Sequence, residues 1–196
     1  MKASLQRLVL SALFIAFTCV ATMLIKFPTP TFGYIHVGDC MVLLCGVILG
    51  PGVGALAAGI GSALADLFSG YLIYVPATFV IKALTALLAG LLYQRAAQKF
   101  SGNGKRTLSL ILGGILGESV MVGGYFVFET LLAAVGNGGF STQALSAGLV
   151  SSAASIPFNL VQGVTGIVLS VLLLPILMKV PFLKRREQTQ DAKHTA

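Results

Sequence analysis

Charge is what this sequence has least of. Lys, Arg, Asp and Glu together make up 10% of its 196 residues, where a soluble domain carries roughly a quarter. With 56% of residues hydrophobic, a soluble domain of this size could not hide its apolar surface, so most of the chain is read as lying in lipid. Tryptophan is absent, which removes the strongest stacking platform for a large planar ligand and leaves that role to Tyr and Phe. The three cysteines, Cys19, Cys40 and Cys45, lie in apolar stretches without a C-x-x-C. That spacing excludes a disulfide framework and leaves small packing residues. Catalytic motifs are missing as well: there is no G-x-S-x-G, no H-E-x-x-H and no Ser–His–Asp set. No G-x-x-x-x-G-K-[ST] marks a phosphate-binding loop. Neither catalytic residues nor a cofactor are expected, and His36, the one histidine outside the tail, has no second ligand at metal-site spacing.

The net charge of +7 does not indicate nucleic acid, because the basic residues cluster at the ends of apolar segments. Six such segments are legible, at about residues 8–25, 38–49, 53–68, 74–93, 107–135 and 151–180. The first could imitate a secretory signal, but its apolar run would extend roughly 27 Å as a helix and no A-x-A site follows. It is kept as a membrane helix. Residues 27–33 and 50–52 are rich in Pro and Gly and read as turns, and a polar stretch at 94–106 separates the two halves. Residues 140–150 form an amphipathic lead-in of unsettled structure.

Threading the segments alternately across a bilayer places both termini on one side, together with the 50–52 turn and the 94–106 loop. All but two of the 13 Lys and Arg residues then fall on that side, which the positive-inside rule makes the cytoplasm. The two exceptions are Lys26 and Lys82. The expectation is an all-α membrane protein: a six-helix transmembrane domain over residues 1–183, with both termini cytoplasmic, and a polar cytoplasmic tail over 184–196.

The third segment carries rows of small residues, Gly50, Gly54, Ala58 and Ser62 beside Ala55, Gly59 and Ala63, which let helix backbones approach closely in lipid. On the first helix Ala12 and Ala16 form a shorter pair of this kind.

Ionisable residues inside a membrane cost about 2.5–3.5 kcal/mol each on insertion scales, and here they are Asp39, Asp66, Lys82, Glu118 and Glu129. Glu118, Tyr125 and Glu129 share one helix face within about 20°, and Ser155, Asn159 and Gln162 share another. Pro157, read as lying inside the sixth helix, would free a backbone carbonyl there. Two polar stripes on two helices suggest a common cavity. The competing structural readings are a Glu118–Lys82 ion pair and interhelical hydrogen bonds from Asn159 and Gln162. Asp39 and Asp66, near helix ends, read equally well as caps or loop anchors and as ligand contacts, and Tyr34, Tyr71 and Tyr74 read slightly better as interfacial belt residues than as stacking partners.

The stretches 33–39 (GYIHVGD), 50–55 (GPGVGA), 61–66 (GSALAD) and 157–163 (PFNLVQG), with Gly70-Tyr71, Pro76-Ala77-Thr78 and Ile81-Lys82-Ala83, resemble the substrate-binding S components of energy-coupling factor (ECF) transporters. The likeness covers about residues 5–180 and extends to six helices with both ends cytoplasmic. It implies a subunit of a bacterial plasma membrane that captures a water-soluble vitamin at the outer face, under the loops after helices one, three and five. The partners implied are a transmembrane coupling protein and two cytoplasmic ATPases, with the S component toppling to release the vitamin inside. Ala12 and Ala16 match the A-x-x-x-A pattern by which such subunits meet their membrane partner.

Within the family the segment pattern is closest to the riboflavin, hydroxymethylpyrimidine or pyridoxine-type group. The polar side chains give a small preference for a compact pyrimidine or pyridine vitamer. The substrate-binding candidates are Glu118, Tyr125, Glu129, Asn159, Gln162, Lys82 and His36. The alternatives are a self-sufficient proton-coupled secondary carrier of a small metabolite and an intramembrane enzyme.

Overall fold

A computed structural model describes residues 2–28, 34–99 and 104–180. Within them α1 (Lys2–Leu24) leads into a short antiparallel hairpin, β1 (Lys26–Pro28) against β2 (Tyr34–His36), with Lys26 opposite His36 and Phe27 opposite Ile35. α2 (Asp39–Leu44) continues into a wider π-helical turn, Cys45–Leu49. Then follow α3 (Pro51–Ser69), α4 (Val75–Lys99), α5 (Lys105–Gly136), α6 (Thr142–Ala153) and α7 (Ile156–Leu177). The tail expected over 184–196 lies outside the described residues, as do residues 29–33 of the hairpin connection.

Five helices, α1, α3, α4, α5 and α7, are long and apolar enough to cross a membrane. The second crossing expected from the sequence is of another kind. Asp39–Leu49 is a shorter apolar helix of roughly 17 Å at 1.5 Å per residue, little more than half the hydrocarbon thickness of a bilayer. Val42, Leu43, Leu44 and Cys45 are wholly enclosed, because α2 and its π turn pack against α1, α3, α4 and α7. The lipid-facing surface is supplied by the long helices, with Leu8, Leu13 and Phe17 of α1 and Leu160, Val164 and Leu172 of α7 exposed.

Turn chemistry sets the boundaries. Gly50 and Gly70 hold φ values of 85° and 83°, a region that costs a glycine little. Pro51 then starts α3, and Gly70 ends it in the left-handed conformation. The expected sixth helix over 151–180 is two helices. The lead-in whose structure the sequence left open is α6, capped by Ser141 Oγ, which accepts from the Ala144 N–H at 3.2 Å. Because α7 begins at Ile156, Pro157 stands in its first turn, where the missing N–H would have had no intrahelical partner. The free carbonyl expected at Pro157 therefore does not arise; the proline inside α7 is Pro175.

The small-residue rows act as close-packing surfaces. Ala58 and Ser62 are completely buried, and a Cβ added to Gly61 would lie 2.7 Å from the Ile15 carbonyl oxygen of α1. Similar approaches join α4 to the π turn through Gly90 and Gly46, and α5 to α4 through Gly117 and Thr85. Interhelical approach at this distance maximises dispersion where lipid offers no hydrophobic drive.

Candidate functional site

At one end of the bundle the hairpin meets the C-terminal end of α3, the start of α4, the second half of α5 and the start of α7. A small pocket opens there, lined by Tyr34, His36, Asp66, Tyr74, Thr78, Tyr125, Glu129 and Asn159. Aromatic rings interlock along its wall: Tyr34 and Tyr71 lie 4.7 Å apart between centroids, and Tyr74 and Phe128 5.2 Å. Of these rings Tyr34 and Tyr74 line the cavity, supplying aromatic surface in the absence of tryptophan.

Polar groups punctuate that wall. The Tyr34 hydroxyl donates to Asp66 Oδ1 at 2.6 Å, while Asp66 Oδ2 is buried with no hydrogen-bond partner in the protein. Thr78 and Tyr125 share a hydrogen bond between their hydroxyls at 3.1 Å. Asn159 lies only 3.5 Å from Ser155 Oγ, the edge of hydrogen-bonding distance. A buried acceptor without a donor is costly to keep, and a ligand N–H or O–H in the cavity would satisfy Asp66.

Below this cavity lies a second layer, fully enclosed. The Lys82 ammonium, 0% exposed, pairs with Asp39 Oδ1 at 2.5 Å and stands 5.3 Å from the centre of the Tyr125 ring. Gln162 Nε2 donates to Asp39 Oδ2 at 2.7 Å, and Gln162 Oε1 accepts from the backbone N–H of His36 at 2.9 Å. The pairing of Lys82 with Glu118 weighed from the sequence is not formed. The packing of α2 on α4 brings Asp39, in the first turn of α2, to Lys82 instead.

His36 belongs to both layers. Its Nδ1 accepts from the Gly38 N–H at 3.0 Å, so the neutral ring carries its proton on Nε2. Burial, with the Lys82 charge adding to it, pushes this imidazole down to about 3 from an ordinary 6.5. The unfolded chain takes up a proton near 6.5 and the folded one not until about 3. Stability is therefore complete above pH 6.5 and is lost as pH falls through that window. The thermal midpoint of the protein in detergent is expected to be flat above pH 7 and to fall below about pH 6, with the fall reduced in His36→Gln. An equal fall in both proteins would remove His36 as its origin.

The common cavity expected from the two polar stripes is divided. Tyr125, Glu129, Asn159 and His36 line the cavity, whereas Lys82 and Gln162 sit in the layer below it. Glu118 is not on the cavity wall; it borders the buried layer beside Asp39. Seven residues along α5 from Tyr125, it lies roughly 10 Å away along the axis. It lines a groove between α5 and α7, with Ile115, Val122, Leu160, Val164 and Ile167. The outer flank of that groove is exposed at Ile115, Leu160 and Val164, so it faces the surroundings of the bundle. Ala12 and Ala16 are exposed on α1. Among the described residues no group of three or more His, Cys, Asp or Glu could hold a metal ion.

Asp66, Thr78, Tyr34 and Tyr74 are cavity residues that the sequence did not single out as ligand contacts. For Asp66 the available signal was an ionisable group in an apolar segment, which could equally have been a cap.

The comparisons agree with this architecture. A family model described as the S component of ECF-type riboflavin transporters matches residues 2–179. A solved structure described as the S component of a bacterial ECF transporter superposes with a TM-score of 0.62 at 27% identity, covering 90% of this chain and 97% of that one. An uncharacterized protein of Pyrococcus woesei is 40% identical over 107 residues, which span 54% of this chain and 66%, just under two thirds, of that protein.

Proposed function

Since the chain belongs to the S-component family of ECF-type riboflavin transporters, we propose that its cavity binds riboflavin for ATP-driven uptake. The family is one of substrate-binding membrane subunits, not of enzymes. The observation that carries the ligand reading is the pairing of a tyrosine-lined wall with the unpartnered Asp66 Oδ2. A planar heterocycle with ring N–H and hydroxyl donors meets both needs, stacking on the rings and donating to the carboxylate.

In this reading the cavity faces outward. It lies at the end of the bundle opposite the Gly50 turn and the α4–α5 connection, and the basic residues of the sequence gather on that opposite side, which is cytoplasmic. The setting is then a bacterial cell membrane. As for the family, the energy for uptake comes in this reading from two cytoplasmic ATPases acting through a transmembrane coupling protein, and the lack of a phosphate-binding loop in the sequence agrees with it. The test is mass spectrometry of small molecules released from the purified protein, followed by thermal-shift titration with riboflavin, hydroxymethylpyrimidine, thiamine and the pyridoxine vitamers. Retention of and stabilisation by riboflavin supports the proposal. Stabilisation by a pyrimidine or pyridine vitamer alone replaces the substrate and keeps the binding role. Uptake driven by a pH gradient into liposomes holding only this chain would make it a proton-coupled carrier instead.

α1 is the docking face for the coupling protein in this scheme, through the exposed pair Ala12 and Ala16. One helical turn separates them, and their small side chains admit a partner backbone. Ala12→Leu and Ala16→Leu are each expected to reduce uptake severalfold in cells that contain the partner subunits, with vitamin affinity unchanged in the isolated protein. Full uptake by both variants would dismiss this face.

A further inference from the structure

Gln162 is 2% exposed and is not among the residues lining the cavity, yet both ends of its amide are used. The carbonyl end accepts from the backbone of β2, and the NH2 end donates to the carboxylate of the buried ion pair. The orientation of the amide follows from these partners, since a backbone N–H requires oxygen and a carboxylate requires a donor. Turned over, the amide would set N–H against N–H and oxygen against oxygen.

The strand it holds is a wall of the cavity. Tyr34 and His36 stand two residues apart on β2 and point to the same face, and both line the cavity. Tyr34 is secured to α3 through its hydroxyl on Asp66, and His36 to α7 through its backbone on Gln162. Behind Gln162, Asp39 is held by Lys82 of α4. The line from Lys82 through Asp39 and Gln162 to His36 N–H thus runs from the centre of the bundle to the binding wall.

We infer that Gln162 is a positioning residue for ligand binding, transmitting the fixed geometry of the Lys82–Asp39 pair to the Tyr34–His36 wall without touching the ligand. The inference rests on the cavity being the vitamin site. It explains why this position carries an amide: a carboxylate could accept from His36 but would oppose Asp39, and a thioether or alkyl group could do neither job.

Hydrogen exchange of residues 34–38 in ligand-free protein, together with riboflavin association and dissociation rates, tests it in Gln162→Met, Gln162→Glu and the double variant Asp39→Asn/Gln162→Glu. In Gln162→Met the His36 amide is expected to exchange about tenfold faster, on the scale of one lost hydrogen bond, and riboflavin to leave about tenfold faster with association nearly unchanged. Gln162→Glu places two carboxylates together and is expected to be worse in dissociation. In the double variant the carboxylate at position 162 accepts from both His36 N–H and the amide at position 39, whose oxygen faces Lys82. Both readouts are expected to return toward the original values.

That rescue separates a hydrogen-bonded relay from mere filling of space, and it keeps the test decisive should Gln162→Met fail to fold. Unchanged exchange at 34–38 in the single variants, equal acceleration throughout α4 and α5, or no recovery in the double variant would each overturn the inference. Normal exchange behaviour combined with no riboflavin binding would instead strike the vitamin assignment, leaving the tie between Gln162 and β2 intact.

Discussion

Lys82→Met is expected to cost about 3–5 kcal/mol of stability, the usual penalty for stripping one partner from a buried ion pair. Lys82 and Asp39 are both completely enclosed, so the orphaned carboxylate has no water to turn to. Its remaining donor would be Gln162 Nε2. Replacing both charges, as in Asp39→Leu/Lys82→Met, removes the uncompensated charge and is expected to recover most of the loss. The recovery should fall short by about 1–3 kcal/mol, because the Gln162 NH2 group is then left without an acceptor. Thermal unfolding of the two variants in one detergent checks the order. A single variant as stable as the unaltered protein would mean that the pair carries no structural weight.

The second large effect concerns the ligand. Asp66→Asn keeps shape and an acceptor for Tyr34 but removes the charge and half of the acceptor capacity at the cavity wall. A hydrogen bond to a charged group is worth about 1.5–3 kcal/mol, so riboflavin affinity is expected to fall on the order of 10- to 150-fold. Glu118→Gln, in the groove between α5 and α7, is expected to leave affinity within about twofold. Titration by quenching of riboflavin fluorescence distinguishes the two. Comparable losses in both variants would reunite the two polar stripes in one site and refute the division of the cavity. An unchanged Asp66→Asn would withdraw that carboxylate from ligand contact.

The contrast between Asp66 and Glu118 shows how far a sequence reading reaches into such a site. Both were visible as ionisable groups in apolar segments, and the face shared by Glu118, Tyr125 and Glu129 was correctly a matter of helical period. Direction around a helix is not the same as depth along it, however. Glu118 stands at the buried layer beside Asp39 and borders a different groove, whereas Asp66 reaches the cavity only because the end of α3 meets β2 and α4. Likewise Pro157 reads as an interruption when 151–180 is one helix, and is an ordinary first-turn proline because α7 starts at Ile156.

The sequence by itself determined the membrane class, the long apolar helices, the small-residue packing surfaces and the family resemblance. These rest on composition, on spacing along one segment and on local motifs, all of which are properties of contiguous residues. Only the tertiary structure decided that Asp39, not Glu118, pairs with Lys82, that Asp39–Leu49 is enclosed within the bundle, and that Gln162 bridges β2 and Asp39. Each of these depends on which helices touch and at what depth. In lipid that choice is made by close packing of small residues and by pairing of buried polar groups across long stretches of chain, a many-body outcome that no single segment encodes.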